Sequence, residues 1–234
     1  MKKTMPFLFF MSLVAGANAQ DTAAMKKHYL KMYNQGMTYN DLNTGVYALQ
    51  GYLAIDNNIR YKDTLSMLYY ATKNYYSSLL LGKEVYEAMP DNLEAIARTA
   101  ECYDEMGDPQ TAVSLFEKVV PKTKNPYQTY KMAVCLYQVK RTAEAETAAR
   151  TVLADTSSKK IGINFTSVDG VEQAVSLSAA AANLMGVIKM NAGNYAGAKA
   201  DFQKALSLYP QFTGAKQNLD ACEKKLKSGV KPKG

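Results

Sequence analysis

One spacing rule, repeated along the chain, restricts its possible folds more than any other feature. In residues 193–210, GNYAGAKADFQKALSLYP, the residues Ala198, Phe202 and Ala205 lie four and three positions apart and so share one helical face. The two alanines admit a neighbouring helix and Phe202 fills the space between them. Gly193 supplies a left-handed turn before this helix, and Pro210 ends it. Just upstream, ANLMGVIKMNA reads as a second helix with Leu184, Val187 and Ile188 on its apolar side and Gly186 open to close approach. Together these segments predict a helix–turn–helix unit over about 179–212.

The same pattern recurs. AECYDEMGDPQTAVSLFEKVV (100–120) carries Tyr103, Gly107, Ala112, Phe116 and Val119 in the same order and spacing. Thirty-three residues after Ala112, KRTAEAETAARTVLAD places Ala145, Ala149 and Val152 in register. Thirty-four residues before it, NYYSSLLLGKEVYEAMP places Ser78, with Gly82, Val85 and Pro90 following. A further unit occupies residues 22–58, with GVYALQGYLAID as its second helix. A period near 34 is the signature of stacked helical hairpins that cover one another's apolar sides.

At these residues the chain resembles the tetratricopeptide repeat (TPR) family, most sharply through Gly186, Gly193, Tyr195, Ala198, Phe202, Ala205 and Pro210. The resemblance implies an all-α, right-handed TPR solenoid of about five units (about 22–58, 59–92, 93–125, 126–158 and 179–212). Three positions depart from the family pattern: Ser78 takes a small-residue place, and Gly82 and Ala149 take bulky ones. The first unit aligns only with a shortened turn between its helices. Cys102, Cys135 and Cys222 occupy equivalent places in first helices, where the family carries a small buried residue. They read as small hydrophobes, too far apart for a disulfide, and they show no metal-binding spacing.

Three segments fall outside the repeat. Between Ala145 and Ala198 the period lengthens to 53 residues, and KKIGINFTSVDGVEQAVSL changes character. Ile161, Ile163 and Phe165 alternate, and Asp169-Gly170 is a hairpin turn signal before Val171 and Val175. This predicts a β-hairpin insertion over 159–178 that must pack on helices or on a partner. TGAKQNLDACEKKLKSG (213–229) puts Ala215, Leu219, Cys222 and Leu226 on one side and lysines on the other. That reads as a capping helix over 213–227, and residues 228–234 read as a basic, disordered tail. At the other end, MKKTMPFLFFMSLVAGANAQ joins a basic start to an apolar run too short to span a bilayer and an Ala-Asn-Ala cleavage site. It reads as a signal peptide, 1–19, with the solenoid occupying 20–227. Of the formal charge of +7, two come from Lys2 and Lys3, leaving +5 after cleavage.

The expected protein is therefore exported and periplasmic or envelope-associated, without a transmembrane segment and with no nucleic acid as its target. It looks like the short exported TPR proteins of bacteria with a Bacteroides-like envelope. No constellation for catalysis is present. His28 is the single histidine and reads as a helix-surface residue, no phosphate-cradling loop or metal motif occurs, and no cofactor or metal is expected. The expected role is a non-enzymatic scaffold for a protein or peptide in the cell envelope. The alternative is a surface module that binds saccharide or an anionic envelope polymer through its tyrosines and basic tail. In TPR-like arrays the first helices line a concave groove. Carried onto this chain, that geometry implies groove residues Arg60, Met67, Tyr70, Arg98, Glu101, Tyr127, Tyr130, Lys131, Tyr137 and Asn183. Tyrosine suits such a wall, offering a flat face, a hydroxyl and few torsions to freeze. The lysine and asparagine set that grips a C-terminal carboxylate in chaperone-binding TPR proteins is not reproduced.

Overall fold

The computed structural model describes residues 7–167, 169, 170 and 172–228, with side chains from residue 21 onward. Its helices are α1 (Phe7–Thr38), α2 (Leu42–Leu53), α3 (Ile59–Ala71), α4 (Tyr75–Ala88), α5 (Leu93–Glu105), α6 (Pro109–Thr123), α7 (Pro126–Gln138), α8 (Thr142–Ala154), α9 (Leu177–Asn191), α10 (Tyr195–Leu208) and α11 (Thr213–Lys227). Strands β1 (Gly162–Thr166) and β2 (Glu172–Ser176) form an antiparallel pair between α8 and α9. The fold is an all-α TPR array with a β-hairpin insertion. Its contacts divide it into two compact bodies, 1–102 and 103–234, and each is described by itself.

A single turn design joins the helices of every repeat. Each turn has three residues, and the middle one is left-handed: Asn40, Lys73, Gly107, Lys140 and Gly193, with φ between 55° and 82°. The residue after it sends its amide back to the carbonyl five positions earlier. These bonds are Asp41 to Gly36, Asn74 to Tyr69, Asp108 to Tyr103, Arg141 to Leu136 and Asn194 to Lys189, all at 2.8–2.9 Å. That closure satisfies a carbonyl stranded at the helix end. The same residue then caps the next helix. The side chains of Asp41, Asn74, Asp108 and Asn194 accept from the amides of Thr44, Ser77, Thr111 and Gly197. Arg141 has no acceptor to offer, and instead pairs with Glu117 (2.8 Å) and Glu144. The first repeat thus has the same three-residue turn as the others. The shortened turn expected from its sequence is absent, because Asn40 adopts the conformation that glycine supplies at Gly107 and Gly193.

These turns bring the spaced residues into register. The small column (Gly45, Ser78, Ala112, Ala145, Ala198), the filling column (Leu49, Gly82, Phe116, Ala149, Phe202) and the third column (Tyr52, Val85, Val119, Val152, Ala205) are buried throughout. Volume lost in one helix is returned by its neighbour. A Cβ on Gly82 would lie 2.5 Å from Thr99 Oγ1, so Thr99 occupies the space a bulky residue holds elsewhere. Conversely, the Phe202 ring presses on Gly186, where a Cβ would meet it at 2.5 Å. In the N-terminal body Val46, Leu49, Leu65 and Leu68 form the core, and in the C-terminal body Ala198, Phe202 and Cys222 form one cluster. All three cysteines are free and buried.

The insertion lies face-down on the α10–α11 junction. Phe165 meets Phe212 edge-on with centroids 4.8 Å apart and covers Gly214. Gln173 donates to the Gln211 carbonyl (2.6 Å) and accepts from the Thr213 amide (3.1 Å). On α11, Ala215 and Cys222 are buried, whereas Leu226 is 41% exposed, one turn past the end of the covered face. The proposed signal peptide falls on residues 1–6, which lie outside the described residues, and on the first turns of α1. Of the proposed tail, 228–234, Ser228 is the C-cap of α11 and residues 229–234 lie outside the described residues. Among the described residues, no helix is long and apolar enough to cross a membrane.

Two stability outcomes follow. Ala198 is fully enclosed, so Ala198→Leu should overpack the α9–α10 contact and cost about 1–3 kcal/mol in urea unfolding. Lys73 is exposed and left-handed, so Lys73→Gly should raise stability by about 0.5–1 kcal/mol on the same measurement.

Candidate functional site

In the N-terminal body the first helices are tied by a polar ladder. The Arg98 guanidinium pairs with the Asp63 carboxylate, and its Nε donates to Ser66 Oγ at 3.2 Å. Asn92 also donates to Asp63 (2.8 Å), and the Tyr70 hydroxyl donates to the Glu101 carboxylate. The ring of Tyr70 leans on Tyr75 with centroids 5.6 Å apart. Arg98, Tyr70 and Glu101 are therefore brought together with partners of their own, and Glu101 is buried. Arg60 and Met67, on the same α3 helix, remain exposed, Met67 by 46%.

In the C-terminal body Lys131 reaches back to Asp104 at 2.7 Å and Glu105 at 3.4 Å. Burial alone would depress the Lys131 pKa. The Asp104 charge and hydrogen bond, with Glu105 behind them, overcome that and raise it. Tyr130, 8% exposed, has its hydroxyl pushed up to about 12 by burial. Tyr127 lies one turn earlier on α7 and is half-buried. Tyr137 bonds Asn191, and the buried Asn183 accepts from Asn218 at 2.9 Å. Tyr130, Glu101 and Asn183 thus sit within the packing, while Tyr127, Tyr137 and Lys131 are half-buried.

A second feature, not foreseen from the sequence, is an open groove of about 770 Å³ between α6 and α8 with α7 as its floor. Val120 and Pro121, Met132 and Leu136, and Ala148 and Ala154 give it apolar walls. Thr129, Thr147 and Thr151 add hydroxyls, and Glu117, Glu144, Lys124 and Asp155 mark its rim. Two local features mark its α6 side. Pro121 lies inside α6 and cannot donate an amide to the helix ladder, and α6 ends on left-handed Lys124. On the facing side α8 presents Thr147, Thr151 and Ala154 where α4 presents Leu80, Glu84 and Glu87 at the same repeat positions. That run of small residues is the signal through which the groove is legible in the sequence.

Chemistry at the thiols is muted. Burial raises the pKa of Cys135 and of Cys222, holding both as thiols. Among the described residues, no group of three or more His, Cys, Asp or Glu side chains is placed to hold a metal ion.

Comparison with known proteins agrees with the repeat geometry. Residues 71–152 match the family model for anaphase-promoting complex, cyclosome, subunit 3, and residues 179–212 match that for the tetratricopeptide repeat. The chain is a tetratricopeptide-repeat protein. No curated protein matches it. Among solved structures it is similar to MamA (15% identity, TM-score 0.65, covering 91% of this chain and all of that one). It is also similar to YrrB, a TPR protein with an unusual peptide-binding site (15%, 0.66, 81% and 89%). A third similar structure is a tetratricopeptide repeat protein from Parabacteroides merdae (12%, 0.67, 87% and 74%).

Tyr130 yields a test of this packing. The unfolded chain ionises this phenol near pH 10 while the folded chain keeps the proton until about pH 12. Its stabilising share is complete below pH 10 and is lost as pH climbs towards 12, by up to about 2–3 kcal/mol. In urea titrations at pH 8 and pH 11, Tyr130→Phe should lose less stability between the two than the wild type.

Proposed function

We propose that this chain is an exported, non-enzymatic scaffold that holds a protein or peptide partner in the bacterial cell envelope. The observation that carries this reading is the open groove between α6 and α8, apolar along its walls and fringed by charge. Such a channel suits the apolar side chains of a peptide, with rim groups setting orientation. The peptide-binding site of YrrB, a protein of similar fold, supports the same reading. Export rests on the leader-like residues 1–19, and a Bacteroides-like source on the likeness to short exported TPR proteins. The alternative contact is the expected first-helix set, with Arg60, Met67, Tyr70, Arg98 and Glu101 in the N-terminal body and Tyr127, Tyr130, Lys131, Tyr137 and Asn183 in the C-terminal body. Many of its polar groups already bond within the fold, as Glu117 and Glu144 do with Arg141 beside the groove, and the apolar walls are what favour the α6–α8 groove as the primary contact.

The test compares wild type with Thr147→Arg/Thr151→Arg and with Arg60→Glu/Met67→Glu, all at exposed positions. Each is immobilised and offered an envelope extract, and the recovered polypeptide is then titrated. Filling the groove should weaken binding at least about tenfold, or about 1.4 kcal/mol, while the α3 variant binds as wild type. Affinity unchanged by the groove substitutions rejects that site. Recovery of polysaccharide alone, released steeply by salt, rejects the protein scaffold in favour of the saccharide or anionic-polymer reading.

A further inference from the structure

The insertion keeps one strand edge open. The Leu177 amide donates to the Ile161 carbonyl at 2.8 Å, beside the Gly162–Ser176 pair. By the alternation of an antiparallel ladder, Ile163–Val175 and Phe165–Gln173 then exchange bonds. The amides and carbonyls of Gly162, Asn164 and Thr166 consequently point away from β2. All three residues are exposed, and a Cβ on Gly162 would meet nothing within 4 Å. Edge strands are commonly guarded by lysine, proline or a bulge. The β1 sequence GINFT has neither lysine nor proline, and its pairing with β2 runs without a bulge. The strand is also polarised: exposed Lys159 and Lys160 precede it, and its other end carries exposed Asp169, which accepts from Gln217 at 2.9 Å, and exposed Glu172, opposite Thr166 on β2.

We propose that β1 is a self-docking edge on which a second copy of this chain lays its own β1 antiparallel, giving a continuous four-stranded sheet. The charges select this occupant and orientation. Antiparallel pairing puts the lysine end of each copy beside the acidic end of the other, twice over, whereas parallel pairing stacks like charges. A two-fold axis at Asn164 sets that residue opposite its own copy and Gly162 opposite Thr166, so the contact closes as a dimer. A foreign extended segment could use the same backbone groups but would lack the match at both ends. The proposal is independent of the α6–α8 groove, which lies on other elements.

Sedimentation velocity of the full chain over a concentration series tests it. A concentration-dependent dimer is expected. Asn164→Pro removes the outward amide while leaving the bonds to β2, and should weaken association at least about tenfold with unchanged helical circular dichroism. Asn164→Lys, a charged guard on the same edge, should do the same. Lys159→Glu/Lys160→Glu and Asp169→Lys/Glu172→Lys should each weaken self-association, and mixing the two variants should restore it as a heterodimer. A chain that stays monomeric throughout overturns the proposal. So does a dimer indifferent to both Asn164 substitutions, or a mixture that regains nothing.

Discussion

The left-handed residue between paired helices is the constraint on which the rest of this structure depends. With its φ positive, the following amide can close on the carbonyl five residues back, and the next helix leaves the turn in one direction. The same closure recurs in both bodies, so every second helix leaves its turn in the same way. The three buried columns therefore fall at equivalent places in each hairpin, and the neighbouring helix makes up the volume where a column residue is small. Glycine adopts the conformation without steric cost, whereas Asn40, Lys73 and Lys140 adopt it under strain that the surrounding packing holds in place.

Once the turns are set, burial and polar bonding divide the work. Apolar columns seal each body, while first helices are tied to their neighbours by bonds that reach across a repeat, as Asp63 does to Arg98 and Asn183 to Asn218. The Lys131–Asp104 pair belongs to the same system, and its desolvation is repaid because Glu105 and a direct hydrogen bond add to the attraction. Open volume in the C-terminal body lies where side chains are small. The groove between α6 and α8 exists because Pro121, Thr147, Thr151 and Ala154 do not fill it.

Much of the fold was legible in the sequence because its determinants are local. Gly193, the Ala198–Phe202–Ala205 spacing and the Asp169-Gly170 turn each act within a few residues, and the structure has the corresponding turn, helix face and hairpin. The first repeat was harder to read, since asparagine does at position 40 what glycine does elsewhere, and identity alone does not reveal it. The candidate site was less legible still. Repeat geometry names which helix a residue belongs to, but Arg98, Tyr70 and Lys131 find partners that stand 27 to 35 positions away in the chain. The groove is defined by missing volume, which leaves only a faint trace in a string of letters.

The exchange of bulk between Gly82 and Thr99, and between Phe202 and Gly186, bears on how such chains diverge. Neither member of such a couple is free to drift alone, yet the couple can trade roles and leave the backbone undisturbed. A lineage can therefore rewrite most of its letters while preserving the sum of volumes at each joint. The joint is inherited, and the residue that fills it is negotiable. This chain and MamA share a fold with 15% of residues identical.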